Sequence, residues 1–125
     1  MKIVVDGDPV AWERMGVNFN ARRIYDQQKK IRDYFRDVIR FQIDDHPLKG
    51  PVSARCIFYV RRMKSDKSVA PAKKEYGDLD NLAKFIFDCC NGIAYEDDGQ
   101  IVHVEAEKIF ANDVGAEPHT SIFLD

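Results

Sequence analysis

Two short acidic stretches stand apart in this chain: Gly77-Asp78-Leu79-Asp80-Asn81-Leu82-Ala83-Lys84 and, after a gap, Glu96-Asp97-Asp98-Gly99-Gln100-Ile101-Val102. Asp78 and Asp80 on an extended entry to a helix project toward the same side, and the free N–H groups of a helix start favour negative charge. A local role is available to them: Asp78 has the residue type of an N-cap, and Lys84 the i,i+4 spacing of an ion-pair partner for Asp80. The second cluster adds a further possibility. It sits at a turn feeding a strand, so Asp97 or Asp98 can meet the first pair if the intervening helix packs beside it. Three convergent carboxylates raise one another's pKa unless a cation neutralises them. Oxygen-only donors suit a hard ion, and Mg2+ is held by a few carboxylates together with waters and a substrate phosphate. Such a site serves phosphodiester hydrolysis, in which a polarised phosphoryl oxygen and an activated water are needed. Lys84, one turn from Asp80, can oppose the charge that accumulates on the phosphorus oxygens. His46, His103 and His119 lack a paired spacing and read as surface or ordinary structural residues.

The elements that must carry these residues are marked by hydrophobic period. The opening Lys2-Ile3-Val4-Val5 reads as a strand ended by the turn Asp6-Gly7-Asp8-Pro9. Residues 10–25 have no clean period and read as a loop or irregular hairpin. From Asp26, taken as an N-cap, the spacing predicts a helix that buries Ile31, Tyr34, Phe35, Val38 and Phe41 and ends before Asp44. Its other face, with Lys29, Lys30, Arg32, Arg36 and Arg40 among Asp33 and Asp37, reads as a solvated surface laced with ion pairs. Alternation from Val52 to Val60 predicts a well-buried strand, and residues 61–77 a long basic loop that is either functional or mobile. Leu79, Leu82, Ala83, Ile86, Phe87 and Cys90 predict a second helix over 79–90, stopped by Asn91-Gly92. A strand follows with Val102, Val104, Ala106 and Phe110 facing one way, and a last strand lies in His119-Thr120-Ser121-Ile122-Phe123-Leu124-Asp125. The order indicates an α+β fold, a single mixed sheet of about four strands with two main helices, formed as one domain over residues 1–125.

Composition narrows the class of function. The formal net charge of −2 conceals a segregation: residues 1–74 carry 17 basic and 9 acidic side chains, and residues 75–125 carry 2 basic and 12 acidic. That polarity suits a polyanion partner for one part of the molecule, unless the charges mix again in space. No run approaches a membrane span and the N-terminus lacks a secretory layout, so a cytoplasmic protein is expected. Cys56, Cys89 and Cys90 are odd in number and contain no CxxC, which favours reduced core thiols over ligands.

The stretch from Gly77 to Lys108 closely resembles the core of the RusA family, Mg2+-dependent Holliday junction resolvases common in phages and prophages. The paired Asp-Leu-Asp-Asn-Leu, the following lysine, the Asn-Gly helix stop and the Asp-Asp-Gly-Gln-Ile turn stand in the family's order. The resemblance implies a RusA-like fold and a homodimer that binds four-way DNA junctions and nicks two opposed strands, leaving 5′-phosphate ends. It implies Mg2+ as the cofactor, with Mn2+ as a substitute, and no small-molecule cofactor. Position by position it assigns Asp78, Asp80 and Asp98 as metal-binding acids and Lys84 as the catalytic lysine. Arg14, Arg22, Arg23, Arg61, Arg62, Lys73 and Lys74, which precede or flank the acids, are the candidates for DNA contact. Two other readings compete: a DNA-junction or partner-binding module without turnover, and an enzyme acting on small phosphorylated molecules. The absence of a Gly-rich phosphate loop disfavours the latter.

Overall fold

The computed structural model describes residues 1–13, 16–18, 23–25, 28–44 and 46–125. The chain opens with β1 (Lys2–Asp6), whose alternation buries Ile3 and Val5. The turn after it passes through Gly7 at φ 107, a backbone region open to glycine. Next come β2 (Gly16–Asn18) and β3 (Arg23–Tyr25), paired antiparallel as a small separate ribbon. This matches the irregular hairpin expected there. The proposed cap Asp26 lies outside the described residues.

Helix α1 (Lys29–Gln42) packs through Phe35 and Ile39, with Val38 against the same cluster. The expected inward residues Ile31, Tyr34 and Phe41 are exposed instead, Phe41 almost fully at 93%. At about 100° per residue, Phe41 lies roughly 120° from Phe35 and 160° from Ile39. The i, i+3, i+4 spacing therefore holds two overlapping stripes, and the neighbouring sheet selects the one through Phe35 and Ile39. A second difference concerns the basic face. Arg36 donates from Nη1 to the carbonyls of Asp88, Cys89 and Asn91 at 3.3, 3.2 and 2.9 Å. It thus caps the C-terminal carbonyls of the second helix rather than standing in solvent. The ion pairs Lys29–Asp33 and Arg40–Asp37 are on the surface as expected.

The main sheet adds β4 (Val52–Val60), β5 (Ile101–Phe110) and β6 (His119–Leu124) to β1, in the order β1-β6-β4-β5. β6 pairs antiparallel with β1 and β4, and β4 pairs parallel with β5. A parallel pair needs a crossover, and the connection from β4 to β5 contains α2 (Leu79–Cys90). One sheet face, with Ile3, Val5, Ala54, Cys56, Phe58 and Ile122, packs on Phe35 and Ile39 of α1 and on Leu82, Phe85, Ile86 and Cys89 of α2. Phe35 and Phe85 meet edge-to-face at 5.3 Å. The predicted mixed sheet with two helices is therefore the observed one. At the β1 edge, the Gln42 side chain accepts from Val4 N and donates to Val4 O, which satisfies a backbone edge that would otherwise stay open.

β5 departs from expectation over its first half. Val52 pairs with Ile101 but Ser53 with His103, so Val102 is the extra residue of a bulge and stands 70% exposed. Val104 returns to the helix side of the sheet yet remains 45% exposed, because β5 is the edge strand and α2 does not cover it there. Phe110 at the far end is buried as expected.

The three cysteines are free and buried in the core. Burial pushes the Cys56 and Cys89 thiols up to about 12, and raises Cys90 as well. No helix among the described residues is long and apolar enough to cross a membrane.

Candidate functional site

The acidic helix entry is built by its neighbours. Gly77 sits at φ 93, and a Cβ there would meet the Leu82 side chain at 3.2 Å and Ala11 at 3.4 Å. Its carbonyl accepts from Lys108 Nζ of β5 at 2.8 Å, tying the helix start to the edge strand. Asp78 follows in the N-cap position with extended backbone, but its carboxylate makes no capping bond. Leu82, Ala83, Phe85, Ile86, Cys89 and Cys90 face the core, and this rotation turns Asp80, Lys84 and Asp88 outward at successive turns.

The second motif divides its two aspartates. Asp97 Oδ2 accepts from Gly99 N at 2.8 Å as the cap of a short 3-10 turn. Gln100 closes the capping box: its Oε1 accepts from the backbone N–H of Glu96 and Asp97, and its Nε2 donates to the carbonyls of Leu48 and Gly50. Asp98 N donates to Asn91 Oδ1 at 2.8 Å, which fastens the turn to the end of α2. The side chain of Asp98 is left to face the helix. The two aspartates thus differ in position: Asp97 holds the turn and Asp98 lines the groove beside α2.

That groove has a volume of about 720 Å³ and runs between α2 and the edge strand β5. Asp80, Lys84, Asp88 and Asp98 supply its polar wall, and Ala83, Phe87, Val104 and Ala106 are among its apolar lining. Residues from both acidic motifs therefore share one concave surface. Asp78 is exposed at the helix start and is not part of the groove wall. Among the described residues, no three His, Cys, Asp or Glu side chains stand close enough to form a ready-made metal cluster.

Asp88 is a member that sequence reasoning missed. It lies inside the apolar run Phe85-Ile86-Phe87-Asp88-Cys89-Cys90, although its i+4 spacing from Lys84 and i+8 spacing from Asp80 marked the shared face. Burial raises its pKa first and the charge of Asp98 beside it second, against the pull of Lys84 and Arg32. Trp12 was missed too. Its ring lies 3.7 Å from Lys84 Nζ, and this contact takes the place of the Asp80–Lys84 ion pair that the spacing suggested.

The basic candidates separate into groups. Arg61, Lys73 and Lys74 are exposed, the lysines directly before the acidic helix entry. Arg62 is committed internally: it donates to Ser68 O at 2.7 Å and to Asp113 at 3.0 and 3.2 Å, and stacks on Phe110 at 3.8 Å. Arg23 begins β3, whereas Arg14 and Arg22 lie outside the described residues. The loop holding Arg62 is itself fastened by buried Asp66, which accepts from Ser68 N, Ser68 Oγ and Tyr76 Oη. These donors, led by Ser68 and Tyr76, hold its carboxyl well below the usual range. His46 and His103 are exposed and His119 stacks on Tyr59 at 3.9 Å. None of them lines the groove.

The donor chemistry suits a hard cation. The exposed carboxylates of Asp78 and Asp80 have no hydrogen-bond or ion-pair partner among the described residues, so their oxygens are open.

Comparison with known proteins places this geometry in a family context. A sequence model described as Endodeoxyribonuclease RusA matches residues 6–123. The chain is also 26% identical over 139 aligned positions to an uncharacterised protein, YqaN, of Bacillus subtilis strain 168, covering 99% of this chain and 94% of that protein.

Proposed function

The chain belongs to the RusA family of endodeoxyribonucleases, and from that membership we propose that it resolves four-way DNA junctions by Mg2+-dependent paired nicking, with Mn2+ as a substitute. The supporting observation is that Asp80 and Lys84 from one motif and Asp98 from the other line a single groove.

Asp78, Asp80 and Asp98 would hold the cation through carboxylate oxygens. When bound, Mg2+ supplies polarisation of the phosphate and an activated water. Lys84 presents an ammonium to the non-bridging phosphate oxygens and offsets their growing charge in the transition state. Asp88, partly buried, lines the groove beside Asp98. Hydrolysis adds water across the P–O3′ bond: the water oxygen stays on the phosphorus as a 5′-phosphate, and the 3′ oxygen leaves as a hydroxyl. Gly77, the Lys108 contact and the Gln100 staple hold the two motifs in register across the groove.

Exposed Arg61, Lys73 and Lys74 neutralise flanking phosphates, which positions DNA without reading sequence. Arg14, Arg22 and Arg23 belong to the same proposal. A homodimer with a two-fold axis would set two such sites against two symmetry-related strands of a junction.

The experiment is incubation of purified protein with a labelled synthetic four-way junction and Mg2+. Paired nicks in the wild type, none with Asp80→Asn, and retained junction binding by that variant are the expected results. The competing reading is a binding module without turnover, and the lack of a ready-made carboxylate cluster among the described residues is the observation in its favour. Junction binding without cleavage under Mg2+ or Mn2+ would establish it instead.

A further inference from the structure

Lys84 is flanked on its own helix face by Asp80 one turn before and Asp88 one turn after, both lining the same groove. The spacing offers it a carboxylate on either side. Among the described residues it takes neither as an ion-pair partner, and its ammonium instead lies 3.7 Å from the centroid of the Trp12 ring.

Trp12 is held there from several directions. Its backbone N–H donates to Asn81 O at 2.9 Å, on the first turn of α2 and three residues before Lys84. The residues on either side are clasped by one buried side chain: Gln28 donates to Ala11 O at 2.8 Å and accepts from Glu13 N at 2.9 Å. Ala11 in turn lies close over Gly77, where a Cβ would reach it at 3.4 Å. The segment 11–13 is thus locked onto the entry of α2, with the indole over the lysine.

A carboxylate partner would cancel the ammonium's charge and occupy its N–H donors, and would draw a carboxylate away from other duties. An aromatic face attracts the cation through its quadrupole without doing any of these. We propose that Trp12 is a positioning residue: it holds Lys84 extended over the groove, charge and donors intact, for an incoming phosphate. The inference rests on the phosphodiesterase reading of the groove and identifies what keeps its lysine away from the adjacent acids. Orienting the group in advance avoids the cost of ordering a long flexible side chain when substrate arrives.

The test combines a contact readout, a rate and a binding cycle. In the wild type the Lys84 ε-methylene NMR signal is shifted upfield by the indole ring, and Trp12→Ala abolishes the shift. Single-turnover junction cleavage falls on the order of threefold to thirtyfold in Trp12→Ala, the rate equivalent of a cation–π contact, and Trp12→Phe recovers most of the loss. In metal-free junction binding, Trp12→Ala weakens affinity in the wild-type background and adds nothing in a Lys84→Gln background. Equal losses in both backgrounds, or no upfield shift in the wild type, overturn the proposal. A wild type that binds junctions but never cuts them contradicts the nuclease reading, while the binding cycle and the NMR shift still decide whether Trp12 acts through Lys84.

Discussion

Asp66 and Asp80 have contrasting surroundings in adjacent parts of this chain. In the basic loop, Asp66 is buried and accepts from Ser68 and Tyr76, while Asp113 takes the guanidinium of Arg62. Along α2 and its entry, Asp78 and Asp80 carry exposed carboxylates with no donor among the described residues, and Asp80 lines a groove that also receives Asp98. The same contrast recurs within two residues at the second motif, where Asp97 is bonded into its turn and Asp98 is not spent on a cap. A carboxylate satisfied by the backbone is accounted for by the fold. The carboxylates of Asp78 and Asp80 are not accounted for in that way.

Substitutions can break that contrast, and the largest effect belongs to the open acids. Asp80→Asn should lower junction cleavage on the order of a thousandfold or more while leaving the melting temperature near wild type, measured by single-turnover assay and thermal denaturation. Asp97→Ala should do the reverse. Loss of its cap is expected to cost about 1 kcal/mol of stability, read from denaturant unfolding, with cleavage changed only through the looser placement of Asp98.

The satisfied acid of the basic loop gives a pH signature. Because the folded-state pKa of Asp66 is lowered, its stabilisation is fully present above the ordinary carboxylate value and is lost as pH falls toward the folded one. Melting temperature should therefore decline through the acid range in the wild type. Asp66→Asn should start lower at neutral pH and decline less steeply, and parallel curves would remove the assignment.

The smallest effects are expected among the basic side chains, where they sharpen the comparison most finely. Arg62→Gln should loosen the loop, because it removes contacts to Ser68, Asp113 and Phe110. Lys74→Gln should leave stability unchanged and reduce the salt slope of junction binding by about 1, one phosphate contact fewer. The two are distinguished by melting curves and by binding at several salt concentrations.

How far these roles were legible depended on the range of the interactions behind them. Helix α2 and strand β4 carry dense apolar periods, and their observed ranges follow those periods closely. The spacing of Asp80 and Lys84 matches the groove face they share, whereas Asp78, expected on the same side, stands outside the groove wall and Asp88 was missed. The stripe of α1 was misread because Tyr34 and Phe41 satisfy the same spacing as Phe35 and Ile39, and only the packed sheet tells them apart. Val102 was misread because a bulge in β5 shifts its register, a feature set by pairing with β4. The division of labour between Asp97 and Asp98 depends on Gln100 reaching Leu48 and Gly50, about fifty residues away in sequence. The partner of Lys84 was hidden for the same reason: Trp12 belongs to a segment without period, and it reaches α2 through Asn81 and Gln28.

The most direct measurement of the central claim is cleavage of an end-labelled four-way junction by the wild type, Asp80→Asn and Asp97→Asn in Mg2+, with an EDTA control and a parallel binding assay. The expected result is paired nicking by the wild type and Asp97→Asn, binding without nicking by Asp80→Asn, and no product in EDTA. Undiminished nicking by Asp80→Asn, or product formed in EDTA, would contradict a metal-dependent site built on the open acids of α2.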